Sequence, residues 1–118
     1  MNKFIVEFLG TLFFLYVILA TGNPLAIGLA LTVAIMAGGK ISGGHFNPAV
    51  SVMMAAAGKL PLKNLLPYIL AQVAGGLAAL ELYKKIGFVV EGRLKKHGIY
   101  NNKYCNLIRM AMFNPNNI

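Results

Sequence analysis

The residues with the most chemistry to offer sit together. Gly43, Gly44 and His45 run through Phe46 into Asn47, Pro48 and Ala49. Asparagine is a strong helix N-cap, and proline at the first helical position gives up an N–H that has no partner there anyway. Residues 49–57 that follow are apolar. Nine helical residues reach roughly 13 Å, about half a hydrocarbon layer. An apolar helix too short to span, entered through a glycine-rich stretch, reads as a re-entrant loop. Irregular backbone at membrane depth is tolerated where protein or a watery cavity covers it. The carbonyls of Gly43, Gly44 and His45 would then line a polar path as acceptors. The Asn47 amide would donate to a passing hydroxyl or water. The positive end of the half-helix dipole would disfavour cations. This is the chemistry of passage, not of bond-making. Taken alone, the same residues also describe a capped surface helix after a turn. His45 as a metal ligand has little around it: its neighbours are apolar and the chain holds one Cys.

The elements around this stretch decide between those readings. The chain has 118 residues, 58% hydrophobic and 12% charged, with a mean hydropathy of +0.67. Soluble domains carry about 25% charged residues. Three acidic residues leave little material for a carboxylate active site. Residues 1–80 contain Lys3, Glu7, Lys40, Lys59 and Lys63 and no other formal charge, and residues 81–118 hold +5 of the net +8. Apolar runs cover residues 4–20, 24–39 and 65–82. Each is near the shorter limit for crossing a roughly 30 Å layer. A signal peptide over the first run and a soluble helical core are the competing readings. Glu7 inside the first run and the absence of a polar face speak against them. The link Thr21-Gly22-Asn23-Pro24 predicts a tight turn between antiparallel neighbours. Gly10, Gly28, Gly75 and Gly76 recur within the runs, as packing of helices in lipid requires.

Ser42-Gly43-Gly44-His45-Phe46-Asn47-Pro48-Ala49-Val50-Ser51 resembles the first signature of the major intrinsic protein family, the aquaporins and aquaglyceroporins. Glu7-Phe8-Leu9-Gly10-Thr11, Ala26-Ile27-Gly28-Leu29-Ala30 and Tyr68-Ile69-Leu70-Ala71-Gln72-Val73-Ala74-Gly75 resemble the family's first three helices, in order, over residues 3–80. The resemblance implies that Asn47 is the constriction asparagine and that Pro48 and Ala49 shape the half-helix tip. It implies pore carbonyls at Gly43, Gly44 and His45, and a buried Glu7 bracing the loop. Ile27 would stand at the second-helix position of the selectivity filter, where an aliphatic side chain leaves small neutral solutes open. It also implies a cytoplasmic N-terminus, and Lys3, Lys40, Lys59 and Lys63 all fall on that side, as the positive-inside rule expects.

The family joins two inverted halves, each with one half-helix. This sequence resembles one half. Asn114-Pro115-Asn116 is followed by two residues and is not read as a second copy. A pore would need a facing half in the opposite orientation, and the lysines near the loop favour one topology. Residues 81–94 read as a helix end, a stop at Gly87 and a strand, with a second strand over residues 104–113. Residues 79–113 resemble the C-terminal end of GNAT acetyltransferases, with Tyr83 at the tyrosine that protonates coenzyme A there. That family's glycine-rich pyrophosphate loop has no counterpart in this sequence.

The sequence therefore predicts an all-α membrane protein: an aquaporin-like half-repeat over residues 1–80, with three transmembrane helices and one re-entrant half-helix, and a basic tail over residues 81–118. The expected activity is passive transport of water or small neutral solutes, with no catalysis and no cofactor. The expected partners are the lipid bilayer and a second half-channel or another copy. Nucleic acid is not expected despite the basic charge. The alternatives are an acetyltransferase remnant and a non-conducting protein that associates with a full-length channel.

Overall fold

The computed structural model describes the backbone of residues 2–97 and side chains through residue 87. The described residues form four helices: α1 (Lys3–Thr21), α2 (Pro24–Ser42), α3 (Pro48–Ala56) and α4 (Leu62–His97). Three are started by asparagine. Asn2 Oδ1 accepts from Phe4 N at 2.7 Å, Asn23 Oδ1 from Leu25 N at 2.9 Å and Asn47 Oδ1 from Ala49 N at 2.8 Å. Pro24 and Pro48 occupy first helical positions. Gly22 (φ 59°) and Gly43 (φ 92°) close α1 and α2 in the left-handed conformation that glycine adopts without strain.

Gly22 and Asn23 alone separate α1 from α2, so the two helices run antiparallel. Glu7 bonds Ser42 across that pair. Helix α4 runs parallel to α1, because its contacts climb both helices together. Phe4 meets Tyr68 edge-on at 5.7 Å, Glu7 bonds Gln72, and Tyr16 meets Tyr83 at 6.3 Å. A Cβ on Gly75 would come within 2.6 Å of the Phe8 carbonyl, so α1 and α4 touch backbone to backbone there. The start of α1, the end of α2 and the start of α4 thus share one end of the bundle. The chain between α2 and α4 enters and leaves at that end. Helix α3 is its returning limb.

The distribution of polarity is reversed relative to a soluble protein. Leu25, Met36 and Leu62 are each more than 70% exposed, whereas Glu7, Thr11, Ser51 and Gln72 are essentially fully buried. Lipid tolerates the first group, and hydrogen bonding inside the protein accommodates the second. Nineteen helical residues in α1 and in α2 reach about 28 Å, close to the roughly 30 Å hydrocarbon layer. Residues Lys3–Thr21, Pro24–Ser42 and Leu62–Gly87 are long and apolar enough to cross a membrane.

Helix α2 continues through Ser42, three residues beyond the apolar run. One expectation is corrected. Residues 87–94 form no strand: α4 passes through Gly87 and continues to His97. One glycine costs a helix only about 1 kcal/mol, and the residues around Gly87, from Leu82 to Val90, include no proline. The second expected strand, over residues 104–113, lies outside the described residues.

Candidate functional site: a braced re-entrant loop

The loop between α2 and α3 is held by its N–H groups. Gly43 N donates to Gly39 O at 2.8 Å and Gly44 N to Ser42 Oγ at 3.2 Å. His45 N donates to Glu7 Oε2 at 3.1 Å and Phe46 N to Glu7 Oε1 at 2.8 Å. The backbone donors of Gly43, Gly44, His45 and Phe46 are all turned toward the protein. Among the described residues, no hydrogen bond reaches the carbonyls of Gly43, Gly44, His45 or Phe46. The loop therefore presents a run of backbone acceptors with no internal partner.

Glu7 organises this arrangement. It is fully buried, and it also accepts from Ser42 Oγ at 2.7 Å and Gln72 Nε2 at 2.8 Å. Four donors on two oxygens use the full acceptor capacity of a carboxylate. A buried carboxylate without them would carry a desolvation penalty of several kcal/mol. Sequence separation explains the geometry: the donors come from α2, the loop and α4, so Glu7 ties three elements to α1.

Gln72 and Ser51 extend the network to the half-helix. Gln72 Nε2 donates to Ser51 Oγ at 2.8 Å, and Ser51 Oγ lies 2.8 Å from His45 Nδ1. Tyr68 Oη donates to Ser42 O at 2.6 Å and its ring packs on the His45 ring at 5.1 Å. Ser51 and Gln72 were not singled out as site residues by the sequence. Their signal was a polar side chain alone in an apolar helix, which in lipid marks an internal contact.

Phe46 is the keystone of the packing. It is 2% exposed and holds φ at 52°, a conformation costing a non-glycine residue about 1–3 kcal/mol. Its ring fills the recess that Gly10 leaves on α1: a Cβ on Gly10 would overlap Phe46 Cε1.

Asn47 ends the loop and opens α3. It is exposed, with its oxygen engaged by Ala49 N. Among the described residues, nothing accepts from its Nδ2. Gly43 and Ala49 are exposed beside it, and Gly44 and Pro48 are half-buried. Helix α3 has nine residues, about 13 Å of rise, so its N-terminal tip sits near the middle of the bundle's span. Ile27 lies in the first turns of α2, half-buried, toward the other end of the bundle from Lys40. The structure brings Glu7, Gly43, Gly44, His45 and Asn47 into one loop cluster and leaves Ile27 outside it. Among the described residues there is no group of three or more His, Cys, Asp or Glu side chains arranged to hold a metal ion.

The family model of the major intrinsic proteins matches residues 1–113. Aquaporin Z of Brucella melitensis is 38% identical over 91% of this chain and 53% of its own length. Aquaporin Z of Rhodopseudomonas palustris is 36% identical over 87% of this chain and 49% of its own. The glycerol uptake facilitator protein-like 6 of Lactiplantibacillus plantarum is 42% identical over 67% of this chain and 41% of its own. The chain spans about half the length of the curated relatives it matches. The family match runs through residues 79–113, and the acetyltransferase likeness read there finds no support. Three membrane-length apolar helices, a polar interior and a re-entrant half-helix agree with the match. This chain is a multi-pass integral membrane protein, and it belongs to the major intrinsic protein family.

Proposed function

We propose that the chain supplies half of a membrane path for passive movement of water or small neutral solutes. The observation that carries this reading is the division of hydrogen-bonding groups in residues 43–47. The backbone donors of Gly43 to Phe46 are consumed internally, whereas the carbonyls of Gly43, Gly44 and His45 and the Nδ2 group of Asn47 are left over. A water or hydroxyl moving along such a surface exchanges acceptor after acceptor and meets a donor at the tip. The N-terminal end of α3 carries about half a positive charge, which repels cations from the same place. Pro48 and Ala49 keep the tip narrow, and Glu7 keeps the loop in register.

Relatives named aquaporin and glycerol uptake facilitator both match, which supports water and small polyols alike. The aliphatic Ile27 supports a filter less polar than a strict water channel requires. Lys3, Lys40, Lys59 and Lys63 share one end of the bundle, and taken alone they draw that end and the N-terminus to the cytoplasmic side. The reaction needs no bond chemistry and no cofactor.

The test is stopped-flow shrinkage of vesicles containing the purified chain, under a sucrose gradient for water and a glycerol gradient for solute. The expected result is flux above empty vesicles that Asn47→Asp abolishes, because a charged tip that only accepts cannot donate to water. Flux equal to empty vesicles, or flux indifferent to Asn47→Asp, would end the reading.

A further inference from the structure

A groove of about 350 Å³ runs between α1 and α4. Leu15, Ile18 and Leu19 wall it on α1, and Val73, Leu77 and Leu80 on α4. Gly76 lies between them: a Cβ there would come within 3.0 Å of Leu15 Cδ1, so the missing side chain keeps the groove open. Val73 and Leu77 are exposed, which turns the groove toward lipid. Val73 to Leu80 rise about 10 Å along α4, and the lining is apolar throughout. Such a surface suits an extended hydrocarbon chain, not a file of water.

The groove ends beneath a cation. Val73, Leu77, Leu80 and Lys84 follow one another at four, three and four residues, which keeps them on one face of α4. Tyr83 meets Tyr16 edge-on, so Lys84 stands level with the last turns of α1, about one turn short of its close at Thr21. A lysine stem lies along apolar surface and carries its ammonium up to the headgroup layer. Lys84 Nζ is 3.6 Å from Glu81 Oε1, with both side chains exposed. An exposed pair of this kind is weak and leaves the ammonium open to another anion. Lys85, Arg93, Lys95 and Lys96 follow along α4, against Glu91, so the potential at this end is positive.

We propose that this groove binds an anionic phospholipid, with one acyl chain lying between α1 and α4 along Gly76 and the headgroup phosphate held by Lys84. A zwitterionic headgroup carries its own cation beside the phosphate, so Lys84 selects by net charge. The site lies apart from residues 43–47, and conduction plays no part in its test.

The chain contains no tryptophan, so Leu77→Trp at the exposed edge of the groove gives a single reporter. The full chain carrying it is placed in phosphatidylcholine vesicles with either phosphatidylglycerol or phosphatidylcholine brominated on its acyl chains, at equal mole fractions. Brominated phosphatidylglycerol should quench the tryptophan with about fivefold higher apparent affinity, the contribution of one lysine beside an anionic lipid. Lys84→Gln should make the two lipids equal. Glu81→Gln, which removes the competing carboxylate, should widen the difference. Gly76→Val, which fills the groove beside Leu15, should narrow it with Lys84 still in place. Glycerol phosphate, a headgroup without chains, should not relieve the quenching. Equal quenching in the parent, a preference that survives Lys84→Gln, or relief by glycerol phosphate overturns the proposal. A preference unchanged by Gly76→Val also overturns it, since attraction to the charged end alone would then account for the binding. Lys84→Gln and Glu81→Gln alter exposed side chains, so they decide the matter even where Gly76→Val does not fold.

Discussion

Replacing Glu7 by glutamine changes one atom and breaks the brace. The parent carboxylate is fully buried and accepts from Ser42 Oγ, His45 N, Phe46 N and Gln72 Nε2 at 2.7–3.1 Å. In Glu7→Gln the amide oxygen keeps two acceptor sites, and the amide nitrogen turns two hydrogens toward former donors, of which only the Ser42 hydroxyl can rotate to accept. One to two of the four bonds are lost, at about 1.5–3 kcal/mol each for bonds to a charged acceptor. Relief from burying a charge returns part of this, leaving a net loss of about 2–4 kcal/mol. The loop suffers most, because His45 N and Phe46 N bond no other acceptor among the described residues. Phe46 would then hold its left-handed φ of 52° on ring packing alone. The assay is titration with a denaturing detergent followed by circular dichroism, alongside vesicle flux. A stability change below about 0.5 kcal/mol, the scale of an inert surface substitution, would refute the claim that Glu7 organises the loop.

Other perturbations separate packing from polarity. Gly75→Ala would drive a methyl against the Phe8 carbonyl at 2.6 Å and Leu12 N at 3.2 Å. It should cost about 1–3 kcal/mol by parting α1 from α4, read in the same titration; unchanged stability would show that the two backbones do not touch. Ser51→Ala leaves Gln72 Nε2 and His45 Nδ1 each short of a partner and should cost about 1–3 kcal/mol. Ser51→Cys, which retains a weak acceptor, should recover part of it. Thr11 Oγ1 is buried and has no hydrogen-bond partner among the described residues, so Thr11→Val should be neutral or stabilising; a clear loss would mean that the hydroxyl is satisfied.

Much of the architecture could be read from local chemistry. Asn23-Pro24 and Asn47-Pro48 announce two helix starts within four residues, and Gly22 announces a stop. The nine-residue length of α3 follows from the distance between Pro48 and Gly58. What local chemistry misses is long-range. Gln72 meets Glu7 across 65 positions and Ser51 across 21, and no spacing rule links such residues. Gly87 misled for the opposite reason: a glycine that commonly stops a helix at a surface is carried through in α4, where no proline lies between Leu82 and Val90 and the helix continues on both sides. The importance of Gly10 also lay outside local reach, since its missing side chain matters only because Phe46 fills the space.

The account stands on residues 43–57 dipping into the bilayer and returning to the side they left. Spin labels at Lys40→Cys, Met53→Cys and Lys59→Cys, each in a Cys105→Ser background, report depth through their collisions with dissolved oxygen and an aqueous nickel chelate. Lys40 and Lys59 should lie at matching headgroup depth, and Met53, three helical residues before the end of α3 at Ala56, should lie about 5 Å deeper. Met53 level with Lys59 would describe a helix lying on the surface and would contradict the account.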